Sequence, residues 1–108
     1  MTGFSDREKA FENKMARDEE VEFRITARRN KLLGQWAAEK MSLTQEESEA
    51  YAKSVVHADF EEAGDEDVVR KLLGDLTDAG VAIDDAAIRA AMDEQMVEAR
   101  RQFEAENS

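Results

Sequence analysis

The chain of 108 residues contains no cysteine and no proline, and only five glycines and one histidine. Without cysteine, it has no disulfides, thiolate nucleophile or cysteine-based metal site. A single histidine without cysteine also makes a zinc site or a Ser-His-Asp triad hard to build. Because proline is absent and good helix formers are abundant, long helices are favoured. We therefore expect an all-α protein with no metal site and no catalytic residues.

The charge is strongly negative overall but unevenly distributed, with a formal net charge of -11. Residues 21–41 carry five basic and two acidic side chains, whereas residues 42–108 carry six basic and eighteen acidic ones. An acidic body repels nucleic acid and anionic lipid, so neither is an expected partner. The start of the chain has no apolar run typical of a signal peptide, and no stretch approaches the length of a membrane span. We expect a cytoplasmic protein with no direct membrane insertion.

Helix boundaries are marked by local signals. Two capping boxes, Ser5 to Glu8 and Thr44 to Glu47, predict helix starts. Short acceptors at Asp65 and Asp84 predict two more N-caps. Glycines at positions 64 and 80 predict helix ends, because glycine adopts the left-handed conformation that follows many helices at little energetic cost. The predicted helices lie near residues 5–41, 45–62, 66–78 and 85–104.

Each predicted helix has an apolar stripe at the helical period. Such stripes need partners, and short connections favour antiparallel neighbours, so residues 21–108 are predicted to form an antiparallel four-helix bundle. The predicted core, in chain order, is Phe23, Ala27, Leu33, Trp36, Ala37; Tyr51, Ala52, Val55, Val56, Phe60, Ala63; Val68, Val69, Leu72, Leu73, Leu76; Ile88, Ala91, Met92, Met96, Ala99 and Phe103.

The first segment, residues 1–20, does not share this core phase. Its large apolar side chains, Phe4, Phe11 and Met15, form a narrow stripe that meets Asp18 and then stops. A short isolated helix is marginal in water. We expect this segment to be mobile alone and helical when a groove on a partner receives its apolar edge. The alternative is a solvated tail, since frayed termini are common.

Some charged residues in the predicted bundle have unusual positions. Arg29 and Asp59 fall where apolar side chains are expected, so a pair between them is predicted, with Arg70 as the second choice for Asp59. A basic stripe, which could contact a nucleotide or simply be a solvated face, is formed by Arg24, Arg28 and Lys31, with Trp36 near its edge.

Several sequence blocks resemble the zeta inhibitor subunit of alphaproteobacterial F1-ATPase. They are the runs Arg28 to Gly34 with Trp36 to Ala38, Ala50 to Lys53 with Val55 to Val56, Ala58 to Gly64, Glu66 to Lys71 with Asp75 to Leu76, Ile88 to Arg89, and Met92 to Glu94. At the start of the chain, Phe4, Asp6 to Glu8, Ala10 to Glu12 and Lys14 also match. The resemblance covers nearly the whole chain.

The resemblance implies a four-helix bundle with a mobile inhibitory segment. In that family the segment enters a catalytic interface between the alpha and beta subunits, near the gamma rotor, and blocks rotation in the direction of ATP hydrolysis. Phe4, Phe11 and Met15 would be the apolar anchors here, and Arg7, Lys14 and Arg17 would pair with acidic groups. The protein would then be peripheral to the inner membrane through F1.

The resemblance requires no cofactor, although it is compatible with weak ATP or ADP binding at Arg24, Arg28, Lys31 and Trp36. Two other functions remain open from the residues. One is a nucleotide-sensing module that binds ATP or ADP without inhibiting F1. The other is a helical adaptor for an unrelated protein.

Overall fold

A computed structural model describes the backbone of residues 2–61 and 64–107 and the side chains of residues 18–59 and 64–107. The described chain forms four helices: α1 (Thr2–Lys40), α2 (Gln45–Glu61), α3 (Glu66–Asp78) and α4 (Asp85–Glu106). They pack as a helical bundle, which confirms the predicted fold class. The predicted start near Ser5 falls inside α1, and the Ser5 to Glu8 capping box lies outside the described side chains.

The predicted starts of α2 and α4 are confirmed by hydrogen bonds. The Thr44 N–H donates to Glu47 Oε1 at 3.0 Å, and the Glu47 N–H donates to Thr44 Oγ1 at 3.2 Å. The hydrogen bond from the Thr44 N–H, and next the Thr44 hydroxyl, lower the pKa of the Glu47 carboxyl. At α4 the Ala87 N–H donates to Asp84 Oδ1 at 2.8 Å. Both helices therefore begin where short polar side chains satisfy otherwise unpaired N–H groups.

Two helices end in the same left-handed turn, one with glycine and one without. After α3, Gly80 has φ +82°, and the Val81 N–H donates to the Leu76 carbonyl at 2.9 Å. After α1, Ser42 takes the equivalent place with φ 59°, and the Leu43 N–H donates to the Ala38 carbonyl at 3.0 Å. The glycine signal predicted the first turn, whereas the second uses a residue that rarely adopts this conformation.

The core contains most of the predicted stripe positions on all four helices. Phe23 is the clear exception, because it was predicted to lie in the core and is 53% exposed. On α1 the buried side chain at this level is that of Ile25, two residues after Phe23. Phe60 and Ala63 lie outside the described side chains. The buried apolar residues are Ile25, Leu33, Ala37, Ala38, Ala52, Val55, Val68, Val69, Leu72, Leu76, Ile88, Ala91, Met92 and Ala99.

The α1–α2 hairpin is closed by a glycine. A Cβ atom placed on Gly34 would lie 2.7 Å from Ala52 Cα and 3.3 Å from Val55 Cγ2. The two helix backbones can therefore approach closely only because position 34 has no side chain. This contact sets the position of the α1 face that carries Lys31 and Gln35.

The predicted Arg29–Asp59 pair is wrong. Arg29 is buried at 3% exposure, as its apolar position suggested, but its Nη2 donates to Asp65 Oδ1 at 2.9 Å. Arg29 also donates to the side-chain oxygen of Asn30 from Nε and Nη2 at 3.1 and 2.8 Å. Arg70 pairs with Asp67 in its own helix. The Asp65 side chain makes no capping bond to α3, so the predicted cap is wrong: Asp65 has helical backbone angles, φ -80° and ψ -13°, and its Oδ1 accepts from Arg29 instead.

Among the residues that the structure describes, no helix is long and apolar enough to cross a bilayer. Within the same residues, no group of three or more histidine, aspartate or glutamate side chains is placed to hold a metal ion.

Candidate functional site

The residues predicted to contact a partner lie at the front of α1. Their side chains fall outside the described part of the chain, so their placement remains a prediction. The set consists of Phe4, Arg7, Phe11, Lys14, Met15 and Arg17. The backbone of α1 begins at Thr2 and continues without a break to Lys40.

The part of α1 that follows this segment joins the bundle core gradually. Between Asp18 and Arg24, every side chain is exposed except that of Val21, which is half-buried. Ile25 is the first buried residue among the described side chains of α1, with 2% exposure. Among the described side chains, the α1 stripe that packs into the core therefore starts at Ile25.

Two ion pairs tie this part of α1 to the end of α4. Arg100 Nη1 donates to Glu22 Oε1 at 2.9 Å, and Arg28 donates to both carboxylate oxygens of Glu106 at 2.6 and 2.7 Å. The hydrogen bonds from these guanidinium groups lower the pKa of both glutamates and raise those of the arginines. Charge-assisted bonds of this kind are shorter and stronger than neutral ones, although exposure to solvent weakens them.

The predicted basic stripe is partly assembled by the fold. Arg24, Arg28 and Lys31 line one open hollow of about 660 Å³ between α1, α2 and the end of α4. The other residues that line it are Phe23, Ala27, Val56, Phe103, Glu106 and Asn107. Two of its three cations already have carboxylate partners, since Arg24 pairs with Glu20 and Arg28 with Glu106.

Trp36 does not line this hollow. Its ring packs against the core, with Lys40 Nζ 5.0 Å from the ring centroid. Tyr51 of α2 donates its hydroxyl to Asp75 Oδ2 at 2.7 Å. Burial, reinforced by that bond, raises the pKa of Tyr51 well above its usual value. Neither aromatic ring joins the three cations, so the predicted four-residue nucleotide site is not assembled as a unit.

A second hollow of about 440 Å³ adjoins the first and shares Lys31 and Val56 with it. It lies between α1 and α2, and its remaining lining residues are Gln35, Glu49, Ala52 and Lys53. We call the two hollows together the α1 trough. Along α1 the trough runs from Phe23 to Gln35, which corresponds to about 18 Å of helix.

The trough contains two lysines with no carboxylate partner. Every arginine within residues 18–59 and 64–107 forms an ion pair. In the same residues, neither Lys31 nor Lys53 lies within ion-pairing distance of a carboxylate, and both are exposed. Lys53 was not singled out from the sequence. Its meeting with Lys31 depends on how α2 packs against α1, and the helical period alone does not give that.

Comparison with known proteins gives a family match and similar solved structures. The model of the family described as ATPase inhibitor subunit zeta matches residues 1–102. A protein whose structure was solved by solution NMR is 46% identical, with a TM-score of 0.71, over 80% of this chain and 98% of that one. No curated protein matches the sequence.

Proposed function

Because the chain belongs to the ATPase inhibitor subunit zeta family, we propose that its front segment inhibits ATP hydrolysis by the F1 sector of ATP synthase. Residues 1–20 would enter a catalytic interface between the alpha and beta subunits and stop the gamma rotor from turning in the hydrolytic direction. The anchors would be Phe4, Phe11 and Met15, while Arg7, Lys14 and Arg17 would meet acidic groups of the cleft.

The observation that carries this proposal is the division of α1. One helix extends from Thr2 to Lys40, but its described side chains enter the bundle core only from Ile25 onward. The family match includes the segment before that point, from residue 1. A front segment with an apolar edge that is out of phase with the core is suited to bind a groove on another protein.

Inhibition of this kind requires no bond-making residue. A member of an inhibitor family is a regulatory protein and not a catalyst. A wedge that binds one rotor position more tightly than the others holds the cycle there, because a ligand shifts a conformational equilibrium by its difference in affinity between the states. We place the protein in the cytoplasm, on the membrane only through F1.

The test replaces one anchor in the full-length chain. Phe11→Asp is expected to abolish inhibition of F1 hydrolysis, since it would put a charge into an apolar pocket. Its melting temperature should match that of the wild type. Val97→Asp is the control, because Val97 is an apolar residue of α4 with 71% exposure, far along the chain from the segment. Full inhibition by the Phe11→Asp variant would refute the insertion mechanism.

The rival function is a nucleotide sensor that uses Arg24, Arg28, Lys31 and Trp36. The separation of Trp36 from the three cations does not favour it. A sensor would bind ADP equally well with and without Phe11→Asp and would leave the hydrolysis rate of F1 unchanged. Calorimetric titration with ADP and the F1 assay, performed on the same preparations, distinguish the two functions.

A further inference from the structure

We propose that the α1 trough is a second docking site, which receives an acidic amphipathic helix on the surface of the ATPase. This inference rests on the proposed inhibition of F1 and deepens it. The front segment would supply the block, and the trough would hold the bundle against the outside of the enzyme.

The charge of the trough points to an acidic occupant. The chain as a whole has a net charge of -11, yet the trough is lined by four cations, Arg24, Arg28, Lys31 and Lys53, and by two carboxylates, Glu49 and Glu106. Complementary potentials bring partners together and fix their orientation. An acidic segment would be repelled by most of this protein and attracted at this surface.

The two lysines are the strongest indication. In a chain with 26 carboxylates, the described arginines all have acidic partners, whereas Lys31 and Lys53 have none within residues 18–59 and 64–107. Both lysines open onto the same hollow, one from α1 and one from α2. Their ammonium groups can pair with carboxylates of a partner without breaking an existing ion pair.

The apolar lining favours a protein segment over a small anion. Between the cations lie the side chains of Ala27, Ala52, Val56 and Phe103, and the rim carries Phe23 at 53% exposure. A small phosphate-bearing ligand would use the charges but not this length of apolar surface. An amphipathic helix of about three turns matches both the charges and the apolar lining of the trough. It can place apolar residues against the apolar lining and acidic residues toward the lysines.

The test reverses the two lysines in the full-length chain. Lys31→Glu/Lys53→Glu is expected to raise the half-inhibitory concentration for F1 hydrolysis by about tenfold at low salt. Maximal inhibition at saturating protein should stay unchanged, because the front segment is intact. The matched control is Arg70→Glu/Arg101→Glu, with the same change of charge at two exposed arginines whose ion pairs stay within their own helices. It should shift the half-inhibitory concentration far less.

A binding measurement separates this site from the front segment. The full-length Phe11→Asp variant should retain weak, salt-sensitive binding to immobilised F1, and adding Lys31→Glu/Lys53→Glu should remove it. Equal half-inhibitory concentrations for the trough variant and its control would overturn the inference while leaving the inhibitory segment intact. If the lysine reversal instead abolished ADP binding without affecting F1, the occupant would be a small anion and the proposed helix would be wrong.

Discussion

At Gly34, helices α1 and α2 pack so closely that one added carbon atom would clash with the opposite backbone. A methyl group there would overlap the backbone of Ala52, and α2 cannot move away without shifting Val55 in the core. Gly74 provides the contrast, since it also lies inside a helix but a Cβ atom on it would meet nothing within 4 Å. The two glycines therefore have opposite consequences for stability although they are the same residue type.

We predict that Gly34→Ala lowers the free energy of unfolding by about 1–3 kcal/mol, as overpacking usually does. Gly74→Ala should raise it by about 0.5–1 kcal/mol, because alanine has the higher helix propensity and meets no obstacle. Urea unfolding of both variants, monitored by circular dichroism, measures the difference. Stabilisation by both substitutions would show that the helices are less closely packed than described.

Individual residues also show where sequence reasoning reaches its limit. Thr44 and Asp84 were predicted as caps correctly, because a cap depends on atoms within three residues. Asp65 has the same local signal, but its side chain makes no capping bond and instead accepts from Arg29, which is far away in sequence. The capping rule uses only neighbouring residues, so it does not predict a partner that the tertiary fold brings close.

The helices themselves were largely predictable, and their pairings were not. The starts of α2 and α4 follow from their caps, and the end of α3 follows from Gly80, all of which are local signals. The contact of α1 with the end of α4 depends on Glu22, Arg28, Arg100 and Glu106, which lie on the polar faces of their helices. Polar faces carry many charges, so the pattern does not indicate which of them meet. For the same reason Lys31 was identified as a site residue and Lys53 was not.

The pairing of α1 with α4 predicts a dependence on pH. The folded-state pKa of Glu22 and Glu106 lies below the ordinary value of 4.5. The stabilisation is therefore present above that value and is lost as the pH falls through the lowered pKa. We expect the melting temperature of the wild type to fall between about pH 5 and pH 3 more steeply than that of Glu22→Gln/Glu106→Gln.

The control for that experiment is Glu94→Gln, at an exposed residue of α4 away from the ion pairs with α1. Its melting curve should follow the wild type across the same pH range. Added salt should reduce the difference between the wild type and the double variant, since the pairs are exposed to solvent. Identical pH profiles for all three proteins would show that the pairs do not stabilise the contact.

The molecule as a whole depends on a core to which all four helices contribute. Leu72 of α3 is fully buried in that cluster, with Leu33 of α1, Val55 of α2 and Ile88 of α4 as other members. Because α3 is short, its attachment depends on these apolar contacts more than on its own helical stability.

We predict that Leu72→Ala lowers the free energy of unfolding by about 2–5 kcal/mol through the cavity that it leaves. Leu73→Ala is the matched control, since Leu73 is half-buried at the edge of the same cluster and should cost clearly less. Thermal and urea unfolding measure both. Equal losses would mean that the edge of the cluster is as tightly packed as its centre.

The buried guanidinium of Arg29 has a consequence for how the protein opens. If the first turn of α3 frayed, Arg29, which is 3% exposed, would lose its ion pair with Asp65 and keep, among the described side chains, its bonds to Asn30. An isolated charge in such surroundings is very unfavourable. Fraying at the start of α3 is therefore more costly than fraying at a helix end that holds no buried ion pair. Amide protons in the first turn of α3 should accordingly be protected from exchange with solvent.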